Sequence, residues 1–378
     1  MLRYVCPSLL PLFLLCFVIA GSASAAEPYQ PGFRTLGQWR AEDRLRLDVN
    51  VWYPSVRPPR VLNYAPWEIV AALEGKPAEG RFPLLLLSHD SDGTRFSYHD
   101  TAARLASRGF VVAAVTHPAD CMYNMDSLFT LTQLRSRALE LSATLDLLLE
   151  NPQTAQGIDH NRVGVIGFGA GAAAALLLGG ALPDCAGWPD YCGRVDSGDS
   201  YCNPWAKKRI DRLCAGLPLA ASLADPRIKA IAAVAPGYGM LFGQDSFRYF
   251  YPPLFLIGAE KDGIHPPALH ADALASILNG RARYAALKNA DAASLAAPCP
   301  ESLEDELPEL CRSVSSAGRR AIHQELYALL SDFFLYYLGS DKNLPLIPPS
   351  PDLTRQEVTV PPPAIAPAPE KRRQRRGR

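Results

Sequence analysis

Two uninterrupted apolar runs constrain the fold of this chain more than any other feature. Phe82 to Ser88 and Gly109 to Val115 are short, rich in leucine and valine, and do not alternate with polar residues. Such runs are typical of strands that are buried on both faces of a parallel sheet. The stretch Tyr98 to Arg108 between them has the length of a crossover helix. The sequence therefore predicts an α/β fold, with a mostly parallel sheet covered by helices on both faces.

The same alternation continues along the chain, which has 378 residues and 48% hydrophobic content. A collagen, a coiled coil or a wholly disordered chain is excluded by this composition. One domain is expected over residues 26–340, with the cysteine-containing segment 183–220 as an inserted excursion or cap. Further strands are predicted at Leu47–Trp52, Val163–Ile166, Ile228–Val234 and Pro253–Ile257, and helices at Leu134–Leu149, Ala170–Leu178 and Ile322–Leu338.

The two ends of the chain differ from this middle region. Residues 1–25 contain Arg3, a short apolar run and a small-residue cleavage site, which predicts a signal peptide and a periplasmic or extracellular location without a transmembrane segment after cleavage. Residues 341–370 are rich in proline and predict an extended linker. The tail 371–378 holds six cations. It is either a solvated end or a tether to an anionic envelope surface.

The net charge of zero is a sum over these unlike segments. Once Arg3, Glu370 and the six cations of the tail are set aside, 31 basic and 37 acidic residues remain, a net charge of about −6. Neutrality therefore reflects an acidic domain that is balanced by a basic tail.

Seven cysteines remain beyond the signal peptide, and their spacing favours disulfides over a metal site. Four of them lie between residues 185 and 214, and Cys299 and Cys311 are close enough to close one small loop. The paired spacing of a zinc site is absent. Cys121 is expected to be a buried free thiol. Six cysteines allow 15 pairings, so the connectivity stays open.

A glycine-rich turn, Gly167 to Gly171, separates a predicted strand from a predicted helix and allows two interpretations. A dinucleotide-binding turn would need an acidic residue on a second strand about 20 positions later. Asp184 lies near that spacing, but Leu-Pro-Asp-Cys cannot form a buried strand, so no cofactor is expected. The alternative is the nucleophile elbow G-x-S-x-G, with Gly169 at the serine position.

Several motifs together resemble a known family. These motifs are Val51–Pro54, Ser88–Arg95, Leu105–Val115 with His117, Arg227–Ile231 and Leu256–Asp262. In their order and spacing they resemble the platelet-activating-factor acetylhydrolases and the secreted dienelactone-hydrolase-like proteins, over about residues 32–340. The resemblance implies an α/β-hydrolase fold with a cysteine-containing insertion. It also implies ancestral hydrolysis of carboxylic esters by a Ser-His-Asp triad.

The resemblance assigns a catalytic role to particular positions. Asp262 is the retained acid, Gly169 stands at the nucleophile position and Ala292 at the position of the histidine base. The backbone N–H groups of Ser91 and Ala170 are the implied donors of the oxyanion hole, and they do not depend on side-chain identity.

One further position departs from the family pattern. The glycine that the family has after His89 is Asp90 here, and a carboxylate at this point would oppose the developing negative charge of the transition state.

Two functions from different classes follow. With nucleophile and base both lost, the chain is expected to lack serine-hydrolase activity and to act in binding or assembly, with an acyl or ester-like ligand in its pocket. The alternative is a carboxylic ester or lactone hydrolase with non-standard residues, for example Ser88 or Ser91 with His265 or His270.

Two competing interpretations concern the remaining polar residues. His265 and His270 could simply be exposed on a loop and the following helix, with His89 a structural histidine. A second hypothesis is a site for a hard cation such as calcium, formed by carboxylates at the carboxyl edge of the sheet. The four candidates are Asp90, Asp92, Asp262 and Asp291.

Overall fold

The structure, a computed structural model, describes residues 28–40, 45–195, 198–217 and 222–339. The predicted signal peptide, the proline-rich linker and the basic tail lie outside these described residues.

Ten strands of the described chain form a single sheet. Their spatial order is β10-β9-β8-β7-β5-β6-β2-β1-β4-β3. The strands are β1 (Gln30–Arg40), β2 (Leu45–Ser55), β3 (Arg60–Tyr64), β4 (Trp67–Leu73), β5 (Phe82–Ser88), β6 (Val111–Thr116), β7 (Ile158–Phe168), β8 (Ile228–Val234), β9 (Leu254–Ala259) and β10 (Ala282–Leu287).

Helices connect most of these strands. They are α1 (His99–Ser107), α2 (Leu131–Glu150), α3 (Pro152–Ala155), α4 (Ala170–Leu178), α5 (Trp188–Tyr191), α6 (Pro204–Ala215), α7 (Ala271–Leu278), α8 (Ala292–Leu295), α9 (Glu301–Glu304), α10 (Pro308–Cys311) and α11 (Ser316–Leu338).

The predicted parallel sheet corresponds to the second part of the chain. Strands β5 to β10 pair in parallel, because each is joined to the next by a long crossover, which contains an α-helix in every case except that from β8 to β9. Strand β2 adds to β6 in antiparallel orientation, and β1 follows it in the same way. The short β3 and β4 complete an N-terminal extension that is mainly antiparallel.

Two cores lie on opposite faces of the sheet, which explains the uninterrupted apolar runs. Along β5, Leu84 and Leu86 contribute to one core, and Leu85 and Leu87 to the other. Helices α2, α4, α6 and α7 cover the first face, and α1 and α11 cover the second. A strand that is buried on both faces carries apolar side chains on each of them, so its sequence does not alternate with polar residues.

Three disulfides staple the loops of the described chain, as predicted. Cys185–Cys214 and Cys192–Cys202 both lie within the cysteine-containing segment, and Cys299–Cys311 closes the loop that precedes α11. Cys121 is buried and belongs to no disulfide, as expected. Disulfides of this density are typical of proteins that mature in an oxidising compartment.

A buried ion pair anchors α11 to α1. His323 Nδ1 lies 2.5 Å from Asp100 Oδ2, and Nε2 lies 2.8 Å from the carbonyl oxygen of Ser294. Burial lowers the pKa of His323, but Asp100 outweighs this and holds that pKa above its ordinary value. Burial likewise raises the pKa of Asp100, and His323 with Tyr327 more than reverses this, to about 2.

We expect His323→Gln to reduce the free energy of unfolding by about 3 kcal/mol near pH 5, because it leaves Asp100 buried without its charged partner. The raised pKa of His323 makes its contribution complete below the ordinary histidine pKa, and this contribution is lost as pH rises through the raised value. The depressed pKa of Asp100 makes its contribution complete above the ordinary aspartate pKa, and this part is lost as pH falls towards about 2.

Urea unfolding of both proteins across this pH range measures the difference. His160→Gln is the matched control, since His160 is exposed on β7. A pH-independent difference between His323→Gln and the parent would contradict this account of the pair.

Candidate active site

The glycine-rich turn forms a sharp elbow between β7 and α4. Gly169 has φ 53° and ψ −117°, a conformation that glycine adopts freely and other residues adopt only with strain. Its N–H donates to the carbonyl oxygen of Val234, and its own carbonyl accepts from the N–H of Gly237. A Cβ atom at Gly171 would overlap the backbone of Ser88, so this turn needs glycine there as well. The elbow lies at the carboxyl edge of the sheet.

The carboxylate of Asp90 fills the space in front of this elbow. Its Oδ1 accepts a hydrogen bond from the N–H of Ser91 at 2.7 Å and another from the N–H of Ala170 at 2.8 Å. These are the two N–H groups that the family resemblance assigns to the oxyanion hole. A Cβ atom at Gly169 would overlap the carboxyl group of Asp90. Asp90 therefore occupies the place that the resemblance assigns to the oxyanion, as well as the space of a side chain at residue 169.

His265 lies between Asp90 and a second carboxylate, Asp262. Its Nδ1 is 3.6 Å from Asp262 Oδ2 and 4.0 Å from Asp90 Oδ2. Asp262 follows β9, and its Oδ1 accepts from the backbone N–H groups of Ile264 and His265, which fixes the turn. Neither His265 Nδ1 nor Asp262 Oδ2 has a hydrogen-bond partner in the described chain, although both are buried. The three side chains form a carboxylate–imidazole centre (Asp90, His265 and Asp262).

The pKa values of the three groups in this centre depend on one another. Burial lowers the pKa of His265, but Asp90 and then Asp262 outweigh it and raise that pKa above its ordinary value. Burial raises the pKa of Asp262, and His265 reverses this and holds it below its usual range. Burial also raises the pKa of Asp90, which His265 and the two backbone donors offset only in part. The pKa values of the two carboxyl groups are thus both coupled to that of His265.

His270, the other histidine of this region, has a structural role. Its Nδ1 accepts from the N–H of Gly239 at 3.0 Å, so its Nε2 carries the hydrogen and donates to the hydroxyl of Tyr191, also at 3.0 Å. The interpretation that His265 and His270 are exposed is wrong, because their exposed fractions are 5% and 0%. Tyr191 and Tyr201, both from the cysteine-containing segment, contact His270 and bury it.

A second cluster beneath the site has the atoms of a serine triad. Ser88 Oγ lies 2.8 Å from His117 Nε2, and His117 Nδ1 lies 2.6 Å from Glu140 Oε2. Burial and the neighbouring Arg137 hold the pKa of His117 well below its ordinary value. Ser88 has no exposed surface, so a substrate cannot reach it. The cluster supports the loop that carries Asp90, since His89 bridges the N–H of His117 and the carbonyl of Asp90.

The serine dyads that the sequence allowed are not formed. Ser88 pairs with His117, and Ser91 donates to Asp120 Oδ2 at 3.3 Å and accepts from Gln133 at 3.0 Å. Neither serine hydrogen-bonds to His265 or His270. His89 is buried and doubly hydrogen-bonded, in agreement with the structural role expected for it.

The remaining predicted residues lie around this edge. Ala292 begins α8, directly after β10, and Asp291 caps that helix by accepting from the N–H of Ser294. Asp92 is exposed, with φ 65°. No His, Cys, Asp and Glu residues in the described ranges are grouped so as to hold a metal ion. The four aspartates proposed for calcium do not form such a group.

Sequence reasoning missed the polar residues that hold the loop of Asp90 in place. Arg137 forms a buried ion pair with Asp120, at 2.6 Å, and also donates to the carbonyl oxygen of His89. Both residues lie outside the family motifs used above. The one available sequence signal was the charge of Arg137 next to the apolar stripe of α2, whose buried residues also include Gln133 and Glu140.

A cavity of about 320 Å³ lies at the opposite, amino edge of the sheet. It is lined by Phe82 and Val111, the first residues of β5 and β6, and by Arg34 of β1 and Tyr53 of β2. None of the residues of the carboxylate–imidazole centre contributes to it.

Comparisons with known proteins agree with the resemblance stated above. Residues 67–129 match the family model of platelet-activating factor acetylhydrolase, isoform II. A ferulic acid esterase from Streptomyces cinnamoneus superposes with a TM-score of 0.54 at 19% identity, over 89% of this chain and 97% of that one. Similarity at that identity shows the fold alone. No curated protein matches the chain significantly.

The described part of the chain contains no helix that is both long and apolar enough to span a membrane.

Proposed function

Because the chain is an α/β-hydrolase of the platelet-activating-factor-acetylhydrolase-like family, we propose that it has lost the serine mechanism and binds ligands at its carboxylate–imidazole centre. The observation that supports this most strongly is the position of Asp90. Its Oδ1 takes both N–H groups that would stabilise an oxyanion.

Ester hydrolysis in this fold requires the carbonyl oxygen of the substrate to face those two N–H groups. The carboxylate of Asp90 competes with the substrate for these N–H groups. Because Asp90 is part of the chain, it loses no translational or rotational entropy when it binds them. Its negative charge would also repel the oxyanion. Gly169 supplies no hydroxyl, and its Cβ position is already filled by Asp90. A ligand of this centre therefore meets a carboxylate instead of an oxyanion hole, and an acyl-bearing ligand would have to bind beside it.

A fluorophosphonate probe tests the loss of serine chemistry. We expect the parent protein to remain unlabelled, as judged by intact mass, because residue 169 is glycine, Ser88 is buried, and Ser91 hydrogen-bonds to Asp120 and Gln133 and not to a histidine. Chymotrypsin in the same reaction shows that the probe is active. Stoichiometric labelling at any serine would refute the proposal, and labelling at Ser88 would mean that the buried cluster opens in solution.

A hydrolase with non-standard residues is the second candidate function. The observation that favours it is the approach of Asp90 and Asp262 to a single nitrogen of His265. A nucleophile candidate, a base and a second carboxylate are the components of covalent catalysis.

We also propose that the protein is exported. The three disulfides support this, because they form in oxidising compartments. Mass spectrometry of the mature N-terminus tests it, and an intact residue 1 on the functional protein would contradict it.

A further inference from the structure

We propose that Asp90 is a nucleophile towards saturated carbon and that its centre with His265 and Asp262 hydrolyses alkyl electrophiles, such as primary alkyl halides and epoxides. This inference rests on the second candidate function above and names its substrate class.

The first support is the way in which Asp90 is held. Oδ1 is fixed by two backbone N–H groups, at 2.7 Å and 2.8 Å, so the carboxylate has one defined orientation. Oδ2 faces His265 Nδ1 at 4.0 Å, too far for a hydrogen bond. The side chain keeps 22% of its surface exposed. A small ligand can therefore reach a pre-oriented carboxylate oxygen from solvent.

The second support is the orphaned polar pair behind Asp90. His265 Nδ1 and Asp262 Oδ2 are buried without hydrogen-bond partners in the described chain, and the nitrogen faces Asp90. Leaving such atoms unpaired costs free energy, which is typical of functional sites. A water molecule or substrate atom between His265 and Asp90 would satisfy the nitrogen.

The filled oxyanion hole selects the type of carbon that is attacked. An ester carbonyl needs the two N–H groups during attack, and Asp90 already uses them. Displacement at a saturated carbon creates no oxyanion on the substrate, because the charge departs with the leaving group. The structure thus favours alkyl over acyl transfer.

In the first step, Asp90 Oδ2 forms a bond to the substrate carbon as the carbon–halogen bond breaks, and halide leaves with the electron pair. With an epoxide, a ring carbon–oxygen bond breaks, and the ring oxygen takes a proton from the His265 imidazolium. Either route leaves an alkyl ester on Asp90.

In the second step, water attacks Asp90 Cγ, and the negative charge develops on Oδ1. The N–H groups of Ser91 and Ala170 already point at that atom, so they stabilise the intermediate without rearrangement. Esterification has removed the charge of Asp90, which lowers the pKa of His265. In the halide route the imidazolium therefore first releases its proton to solvent, and in the epoxide route it has already given that proton to the ring oxygen, so neutral His265 accepts the proton of the water. Asp262 stabilises the resulting imidazolium.

Collapse of the intermediate breaks the bond between Cγ and the alkyl oxygen. The alcohol takes its proton from His265, and the carboxylic acid left at Asp90 then passes its own proton to His265, which restores the carboxylate and the imidazolium. For a halide, the overall reaction consumes one water and yields the alcohol, halide and one proton, which is released to solvent.

Turnover in ¹⁸O-labelled water tests this route. The full mature protein is incubated with 1-bromobutane or with styrene oxide and then digested for mass spectrometry. We expect one ¹⁸O atom in the peptide that carries Asp90, because the attacking water oxygen stays on the carboxylate. Absence of that label in the recovered peptide with both probes would overturn the proposal, as would ¹⁸O found in the first-turnover alcohol only.

Two variants sharpen the test. His265→Gln is expected to accumulate the alkyl ester at Asp90, because the water step loses its base. Asp92→Asn is the matched control, since Asp92 is an exposed carboxylate in the same loop, and it should leave ¹⁸O incorporation at Asp90 unchanged. The two proposals fail in different experiments. Missing ¹⁸O at Asp90 would overturn this route, whereas only labelling of a serine by the fluorophosphonate probe would show that serine chemistry is retained.

Discussion

Gly169→Ser is expected to lower the free energy of unfolding by about 3 kcal/mol, although it restores the residue that the family uses. The new Cβ atom would overlap the Asp90 carboxyl group and push it out of its two hydrogen bonds. A serine also adopts φ 53° only with strain. The strain alone would lower the melting temperature, and the displacement of Asp90 lowers it further. Denaturant unfolding measures the change.

A double-mutant cycle identifies Asp90 as the cause. We expect Gly169→Ser combined with Asp90→Gly to be more stable than the sum of the single changes, by about 1–3 kcal/mol, because the residues compete for one space. Gly198→Ser is the control, since a Cβ atom there meets nothing within 4 Å. Strict additivity of the two changes would show that Asp90 and residue 169 do not share that space.

The second large effect is a gain of esterase activity in the triple variant Asp90→Gly, Gly169→Ser, Ala292→His. Removing Asp90 frees the N–H groups of Ser91 and Ala170, which the family resemblance assigns to the oxyanion hole, and the other two changes supply a nucleophile and a base at the positions that it assigns to them. A correctly placed base alone contributes about 10²–10⁴-fold. We therefore expect hydrolysis of p-nitrophenyl acetate at least about 10²-fold above the parent.

The matched control is the double variant Gly169→Ser, Ala292→His, which keeps Asp90. We expect it to stay at the level of the parent, because Asp90 still accepts from the N–H groups of Ser91 and Ala170. Equal activity of the double and triple variants would mean that Asp90 does not block the site. If the double and triple variants both fold and both lack activity, then residues 169 and 292 do not lie close enough to act as nucleophile and base.

The sequence predicted the central strands and helices well, for a physical reason. The bounds of β5, α4 and β8 agree with the structure, because nearly all of their residues are buried and the segments end sharply at turn residues. Strands β1, β3, β4 and β10 were missed. Each has alternating or partly exposed side chains at or near an edge of the sheet, where the pattern of hydrophobic residues is weaker.

The candidate site was predictable only where it depends on local sequence. The elbow at Gly169 and the position of Asp262 after a strand follow from short motifs. The hydrogen bond of Asp90 with Ala170 joins residues that are 80 positions apart, so no local pattern reveals it. The placement of His265 between two carboxylates requires the turn that Asp262 closes, together with the loop of Asp90. Long-range pairing of this kind becomes visible only in the folded chain.

A crystal structure of the mature protein tests the central claim most directly, through two distances at the elbow. The account predicts that Asp90 Oδ1 lies within hydrogen-bond distance of the backbone nitrogens of both Ser91 and Ala170, at about 2.7 Å and 2.8 Å. A carboxylate of Asp90 turned towards solvent, with water in contact with those two nitrogens, would contradict it.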